Sequence, residues 1–363
     1  MALRVLGFYF ASQFVRNFLV VLALCFTLIF LVDFVEVIRR AGDKPNYSTW
    51  DAFLIAAFRA PTFLEQAFPF AALFSAIATL VSLNRRSELT VTRAAGISVW
   101  QFLLPIALSA GAIGLVLVAL LNPVTTYLKA EADTRLVRLL TVGDNVTGAL
   151  DSEAWLRQGG SAGDSILNAK ASLNDGKLLY GVTIVEFDQN GLFSRRLDAQ
   201  SAELKNGQWL LKDGKIIAAD SAPVPFETEL IATNLSETYL RERLSKPDTV
   251  SVWRLPTLIE FAEAAGLPAD RYRQKLHSLI ALPVLLISMV LVAATVSLKI
   301  SRMGGLTKLI LGGVSAGFVL YVISKIAGDL GATGLVPPGI AAWTPSIVAM
   351  LMSMTILLYT EDG

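Results

Sequence analysis

The chain has one cysteine, Cys25, and one histidine, His277, in 363 residues. A lone cysteine excludes a disulfide within the chain. Cys25 follows Leu24 rather than a small residue, and the apolar run continues past it. That pattern argues against a lipoprotein cleavage site and a removed signal peptide, and Cys25 reads as a small apolar helix residue. His277 has no second histidine and no nearby cysteine to complete a metal site. It sits where an apolar run begins, so a structural or interfacial role is expected, and no Ser-His-Asp grouping can be built around it. No G-x-x-x-x-G-K-[S/T] phosphate loop occurs in the sequence. The net charge of +1 offers no global attraction for nucleic acid. We therefore expect no catalytic residues, no metal and no cofactor in this chain. Energy for any work it performs would come from a partner or an ion gradient.

What the chain does have is apolar length: 54% of its residues are hydrophobic and 17% charged. A mean hydropathy of +0.57 is too apolar for an ordinary soluble chain, and the apolar residues fall in blocks of the roughly 20 residues that cross a bilayer. Six spans are expected. The first, at 17–32, is uncharged and flanked by Arg16 and Asp33. The second covers about 52–83, most apolar after Pro69, and the third lies within 94–128, centred on 99–121. The fourth, fifth and sixth are 278–298, about 306–324 and about 340–359. Arg85, Arg86 and Arg93 lie in the loop after the second span, and Lys299, Arg302 and Lys308 in the loop after the fourth. The loop near 330–339 has no Lys or Arg. The positive-inside rule then places both termini and the two basic loops in the cytoplasm. Arg39, Arg40 and Lys44 follow the first span on the opposite side and run against that rule. The expected fold is an α-helical membrane protein with six transmembrane helices and an inserted all-β, jelly-roll-like domain. Its parts are helices 1–3 in 1–128, with a short cytoplasmic helix in 84–98; the β domain with connecting segments in 129–270; and helices 4–6 in 271–363.

The insertion reads as β structure from its strand-like runs, such as 180–187 (YGVTIVEF), 208–211 and 215–218. Between such runs lie Asn174-Asp175-Gly176, Asn190-Gly191, Asn206-Gly207 and Asp213-Gly214, which supply the positive φ angles of tight hairpins. Strands at this spacing favour a sandwich or jelly roll. Residues 222–233 (APVPFETELIAT) suit a sheet edge, because Pro223 and Pro225 cannot donate to a ladder. The prolines would block pairing there, or the proline-free part from Phe226 would itself pair with another chain. Residues 255–265 resemble a short amphipathic helix ended by Gly266 and Pro268.

Several polar residues stand out against this background. Residues 84–98 (NRRSELTVTRAAGIS) form one apolar side with Leu83, Leu89, Val91, Ala94, Ala95 and Ile97, opposed by Arg85, Arg86, Glu88 and Arg93. Such a helix either docks into a groove on a soluble partner or simply lies in the interface. Glu65, between Pro61 and Pro69, is an acid at membrane depth. It is either a proton or substrate contact, or a neutral or paired group near the outer interface. Lys325 and Asp329, four residues apart, can pair on one helix face. Arg39, Arg40 and Lys44 can bind anionic headgroups, arginine matching phosphate bidentately, or only anchor the span. Gly312, Gly313 and Gly317 within the fifth span suit close helix packing.

Taken together, these segments resemble one family. They are DFVEVIRRAGDK (33–44), PTFLEQAFPFAAL (61–73), RSELTVTRAAGIS (86–98), NP at 122–123, RMGGLTKLILGGVSAGFVLYV (302–322) and PPGIAAWTP (337–345). They look like the LptF/LptG permease family of the lipopolysaccharide export ABC transporter, and more like its LptG branch. The likeness covers the whole chain, and its most specific part is the RSEL…AAGIS loop. It implies a permease subunit in the bacterial inner membrane that extracts lipopolysaccharide and passes it to a periplasmic protein bridge. The implied partners are an LptF-like second permease, two copies of an LptB-like ATPase, and LptC-like and LptA-like periplasmic proteins. ATP and magnesium would be bound by the ATPase. The 84–98 helix would be the coupling helix, with Arg86, Glu88 and Gly96 meeting the ATPase. Arg39, Arg40 and Lys44, with Arg135 and Arg138 after the third span, would contact lipid A phosphates. Asp33 departs from the pattern, since a lysine can occur at its place in related sequences. Two other functions compete with this one. A proton-driven secondary transporter of an envelope lipid would rely on Glu65, but no internal repeat supports it. A non-transporting scaffold would use the β domain to recruit periplasmic proteins.

Overall fold

The computed structural model of the chain describes residues 2–41, 48–141, 154–160, 163–173, 178–188, 192–205, 207–218, 222–233, 250–264, 269–301 and 306–361. Helices α1 (Ala2–Ala41), α2 (Thr49–Leu64), α3 (Phe68–Arg85), α4 (Glu88–Ala94), α5 (Val99–Val116) and α6 (Asn122–Thr141) come first. Strands β1 (Ala154–Gly160), β2 (Gly163–Leu173), β3 (Leu178–Phe187), β4 (Phe193–Lys205), β5 (Gln208–Ala218) and β6 (Val224–Ala232) follow. Helices α7 (Leu255–Ala264), α8 (Asp270–Ser301), α9 (Leu306–Ala332) and α10 (Pro338–Glu361) complete the order.

Six helical stretches are long and apolar enough to cross a membrane: Val5–Arg39, Thr49–Arg85, Val99–Leu136, Asp270–Leu298, Leu311–Ala332 and Pro338–Thr360. Each overlaps one expected span, and most run further. The first begins well before Asn17 because its polar residues find partners inside the protein. Arg16 donates to Gln13 Oε1 at 2.6 Å and Asn17 to Thr79 Oγ1 at 2.8 Å, so polarity does not end the helix.

Two of the spans are broken, each beside a proline. Pro69 has no N–H for the Glu65 carbonyl, and residues Glu65–Ala67 tighten into a 3-10 turn whose carbonyl is taken by Phe68 N–H instead. Pro123 likewise cannot serve the carbonyl of Ala119. Leu117–Leu121 widens into a π turn, and the Trp253 indole N–H donates to the Ala119 carbonyl at 3.3 Å.

The chain divides into two compact units. One comprises Met1–Asp33, Arg59–Tyr127 and Val250–Gly363, the other Phe34–Phe58 and Leu128–Thr249. In the first unit α8 lies against α3, α5, α9 and α10. The core joins Phe10, Phe14 and Phe18 of α1 to Phe102 and Ile106 of α5 and to Met289 and Val290 of α8. Gly313 and Gly317 sit against Ile77 and Leu73 of α3, where a Cβ would overlap those side chains, so these two glycines serve helix packing as expected. Lys325 and Asp329 pair at 3.3 Å on the α9 surface. Leu19, Leu24, Leu28 and Val32 of α1 and Leu311, Phe318, Ile323 and Ile326 of α9 remain exposed. Such surfaces face lipid or another membrane chain.

In the second unit Val37, Ala52, Ile55 and Leu136 pack the end of α1, the start of α2 and α6 into one cluster. The inserted all-β domain is present, as expected. Its described strands form one antiparallel sheet in the order β1-β2-β3-β4-β5-β6. Among the described residues the strands follow one another in the sheet in chain order. Leu167, Val182, Ile184, Leu197, Trp209 and Leu211 form its buried face. A hairpin between β4 and β5 is as expected: Lys205 pairs with Gln208, and Gly207 has φ +73°, while Asn206 lies outside the described residues. Asp213-Gly214 is not a turn. The runs 208–211 and 215–218 are one strand, β5, in which Asp213 at φ +52° interrupts pairing without shifting register. Gly214 faces Phe226 across the strands, and a Cβ there would overlap the ring and the Asp198 carbonyl. The Asn174-Asp175-Gly176 and Asn190-Gly191 turns lie outside the described residues. Strand β6 is terminal in the sheet order among the described residues, where its Pro225 is tolerated.

Candidate functional site

Three groups of polar residues merit description. The first is the loop between the second and third spans. Helix α4 has 7 residues, preceded by Ser87 at φ +60°. Its C-terminus is closed by the Ile97 N–H donating to Thr92 O (3.3 Å) and the Gly96 N–H to Arg93 O (2.9 Å). This is the Schellman cap, which requires a left-handed residue, and Gly96 supplies it at φ +83°. Leu89 and Thr92 are buried against the bundle, while Val91 is 67% exposed and Ala94 and Ala95 are exposed. The single apolar side expected for this loop is thus split in two. Leu83 and Leu89 join the protein core, and Val91, Ala94 and Ala95 face outward beside exposed Arg86. Glu88 is half-buried and accepts from the Tyr9 hydroxyl at 3.3 Å.

The second group is the basic residues. Arg39 is exposed and forms two hydrogen bonds with Glu36, both 2.9 Å. Arg135 donates to Glu131 at 2.9 Å and lies over the Phe58 ring at 5.4 Å. The cluster of Val37 and Leu136 brings their two helices together. Each arginine is held by a carboxylate about one turn earlier on its own helix, an exposed pairing worth about 0–1 kcal/mol. Lys44 lies outside the described residues, as do the side chains of Arg40 and Arg138. Arg59, which the sequence did not single out, lies 3.5 Å from Asp33 and over the Phe63 ring at 5.4 Å. Asp33 therefore engages a cation of its own chain.

The third group surrounds Glu65, at the break in the second span. Its Oε1 accepts from Asn122 Nδ2 at 3.1 Å and Thr125 Oγ1 at 2.8 Å, and Lys275 Nζ lies 3.6 Å from Oε2. Asn122 is buried, and its Oδ1 accepts from the Val252 N–H at 2.9 Å. Thr62 donates to the Thr125 carbonyl at 3.4 Å. The acid at membrane depth is thus paired. Hydrogen bonds to a charged group are worth about 1.5–3 kcal/mol each, so this node ties both broken spans, α8 and the segment after the β insertion with several strong contacts. Asn122, Thr125 and Lys275 were not read as its partners, although the rule that intramembrane acids are paired asks for some. His277 sits near Gly339, on α8 and α10. Among the described residues no group of three or more His, Cys, Asp or Glu is placed to hold a metal.

Six spanning helices with a β domain inserted between the third and fourth define a multi-pass membrane permease-like architecture. The profile of the lipopolysaccharide export system permease LptF/LptG family matches residues 8–359. The LptG lipopolysaccharide export permease of Haemophilus influenzae strain Rd is 25% identical over 342 residues, covering 92% of each chain. That of Escherichia coli K12 is 24% identical over 366 residues, covering 98% of each. The chain belongs to the LptF/LptG family of lipopolysaccharide export permeases, and it is a multi-pass inner-membrane protein and a transporter subunit rather than an enzyme.

Proposed function

We propose that this chain is the LptG-like permease half of an ABC exporter, which extracts lipopolysaccharide from the inner membrane and hands it to a periplasmic protein bridge. The family match across nearly the whole chain carries this reading. Both termini and α4 face the cytoplasm, following the basic loops, and the β domain lies in the periplasm. An LptF-like permease completes the membrane part, where the exposed apolar residues of α1 and α9 suit a second membrane chain. Two LptB-like ATPases bind ATP and magnesium, and LptC-like and LptA-like proteins form the bridge. The outward surface of α4, with Arg86, Glu88, Val91 and the Gly96 cap, docks into the ATPase. Arg39, Arg40, Lys44, Arg135 and Arg138 take the lipid A phosphates. Arg39 and Arg135 can exchange an exposed carboxylate for a phosphate at little cost. ATP drives export because it binds one conformation of the assembly better than another. The secondary-transport alternative relied on Glu65, which is engaged by Asn122, Thr125 and Lys275.

Purification from detergent-solubilised membranes tests the reading. An ATPase and a second permease should copurify, and proteoliposomes of the complex should release lipopolysaccharide to a periplasmic acceptor on ATP addition. Purification without an ATPase, with lipid release abolished by an uncoupler, would overturn it.

A further inference from the structure

Glu65 and its partners are not a basic rim, a docking helix or a sheet edge, so the export reading assigns them no task. Their placement is specific. The 3-10 turn at Glu65–Ala67 and the π turn at Leu117–Leu121 are the places where the second and third spans leave α-helical geometry. Irregular turns of this kind are where a helix bends most easily. Glu65 lies in the first turn, and Asn122 directly follows the second. Asn122 and Thr125 donate to one oxygen of Glu65, and Lys275 of α8 approaches the other. The far side of Asn122 accepts the Val252 N–H, and the neighbouring Trp253 takes the carbonyl that Pro123 leaves without its helical partner. Asn122 and Thr125 are buried, at 2% and 0% exposed, while the side chains of Glu65 and Lys275 keep 16% and 21% of their surface exposed. Opening the node would separate the buried Asn122 amide from the acid, which is costly in an apolar interior, while the Thr125 hydroxyl also has the Asn122 carbonyl at 2.9 Å as an acceptor. Bendable turns thus flank a junction that resists opening.

We propose that Glu65, Asn122, Thr125 and Lys275 form a fixed pivot of the transport cycle. The node pins the breaks of the second and third spans to each other, to α8 and to the segment that follows the β insertion. The helix halves bend about it while the node itself stays closed. These are positioning residues; they do not touch lipid. The proposal rests on the export reading, and failure of that reading would show separately, as wild-type complex that releases no lipopolysaccharide on ATP.

The test measures lipopolysaccharide released per ATP hydrolysed by the full complex in proteoliposomes, a ratio that a loss of folded protein alone does not change. Glu65→Gln loses the ion pair with Lys275 but keeps an oxygen that accepts from Asn122 and Thr125, and should stay within about threefold of wild type, whereas Glu65→Leu removes every acceptor that Glu65 offers the node and should lower the ratio about tenfold or more. Should Glu65→Leu fail to fold, Thr125→Val removes one donor at nearly constant volume and should lower the ratio about threefold. Equal defects in Glu65→Gln and Glu65→Leu would show that the charge matters rather than the pin, and would overturn the proposal. So would normal coupling in Glu65→Leu or, where that variant does not fold, in Thr125→Val. A Glu65→Cys and Thr125→Cys pair, in a Cys25→Ala background, separates a fixed pivot from a latch. Joining the pair with a short reducible bifunctional methanethiosulfonate should restore coupling that the unjoined pair lacks. A joined pair that stalls export until it is reduced would mean that the node must open, and the pivot would be wrong.

Discussion

Gly96→Ala tests whether the cap of α4 sets how well the permease docks its ATPase. Gly96 sits at φ +83° and closes the Schellman cap with Ile97 and Thr92. A Cβ added there meets nothing within 4 Å, so no clash contributes. The cost is then the left-handed backbone itself, about 1–2 kcal/mol for a residue with a Cβ. If docking needs the capped helix, its apparent affinity falls with the capped population. At 1.4 kcal/mol per factor of ten, that is about 5- to 30-fold. The assay is a titration of purified ATPase onto the permease complex in detergent, read as ATP turnover. The half-saturating ATPase concentration should rise by that factor, and turnover at saturation should stay near wild type. Asparagine tolerates the left-handed region better, so Gly96→Asn should give a smaller shift. Unchanged half-saturation in Gly96→Ala would refute the reasoning, as would equal losses in the alanine and asparagine variants.

Glu88→Ala should lower coupled ATP turnover and lipid export with normal membrane insertion; normal export at normal protein level would sink the docking role of this residue. Arg39→Glu with Arg40→Glu should weaken lipopolysaccharide loading, and a crosslinker at position 39 should capture the lipid; loading equal to wild type would make these arginines anchors only. Glu36→Gln should act the other way, releasing Arg39 from a pairing worth about 0–1 kcal/mol and raising lipopolysaccharide loading by up to about fivefold; a fall in loading would contradict the exchange of carboxylate for phosphate. Photocrosslinking residues along Phe226–Ala232 of β6 should capture another periplasmic β-domain protein; strong hydrogen-exchange protection of that strand without any crosslink would place it inside a sheet.

The spans were legible because a bilayer demands long apolar blocks, and each block became a helix. Their ends were not legible. Arg16 and Asn17 look like a boundary, yet their partners Gln13 and Thr79 let the helix continue. Thr79 is 62 residues away from Asn17, beyond the reach of any local pattern. Turns divide in the same way. At Gly207 the chain turns between Lys205 and Gln208, which pair directly, and no side chain crowds the glycine. Asp213-Gly214 has the same chemistry inside a strand, where Phe226 from the neighbouring strand covers the glycine. Helix α4 was legible as an element. The side it buries was not, since 7 residues are too few for a 3.6-residue period to select one face.

Glu65 shows most clearly where local reading stops. An acid between two prolines in an apolar span marks a place of consequence, but no neighbouring residue in the sequence names its partners. Its hydrogen-bond partners lie 57 and 60 residues further along the chain. What brings them together is the pair of breaks. Pro69 loosens the second span at the turn that carries Glu65, and Pro123 loosens the third beside Asn122. Each break frees a carbonyl, and each is satisfied differently: one by a tightened turn, the other by the Trp253 indole. An unbroken pair of helices would present regular faces with no turn to seat a carboxylate and an amide side by side. The prolines that weaken the two helices thus also create the junction that holds them. That is why this acid is better understood by the bonds it accepts than by the charge it carries.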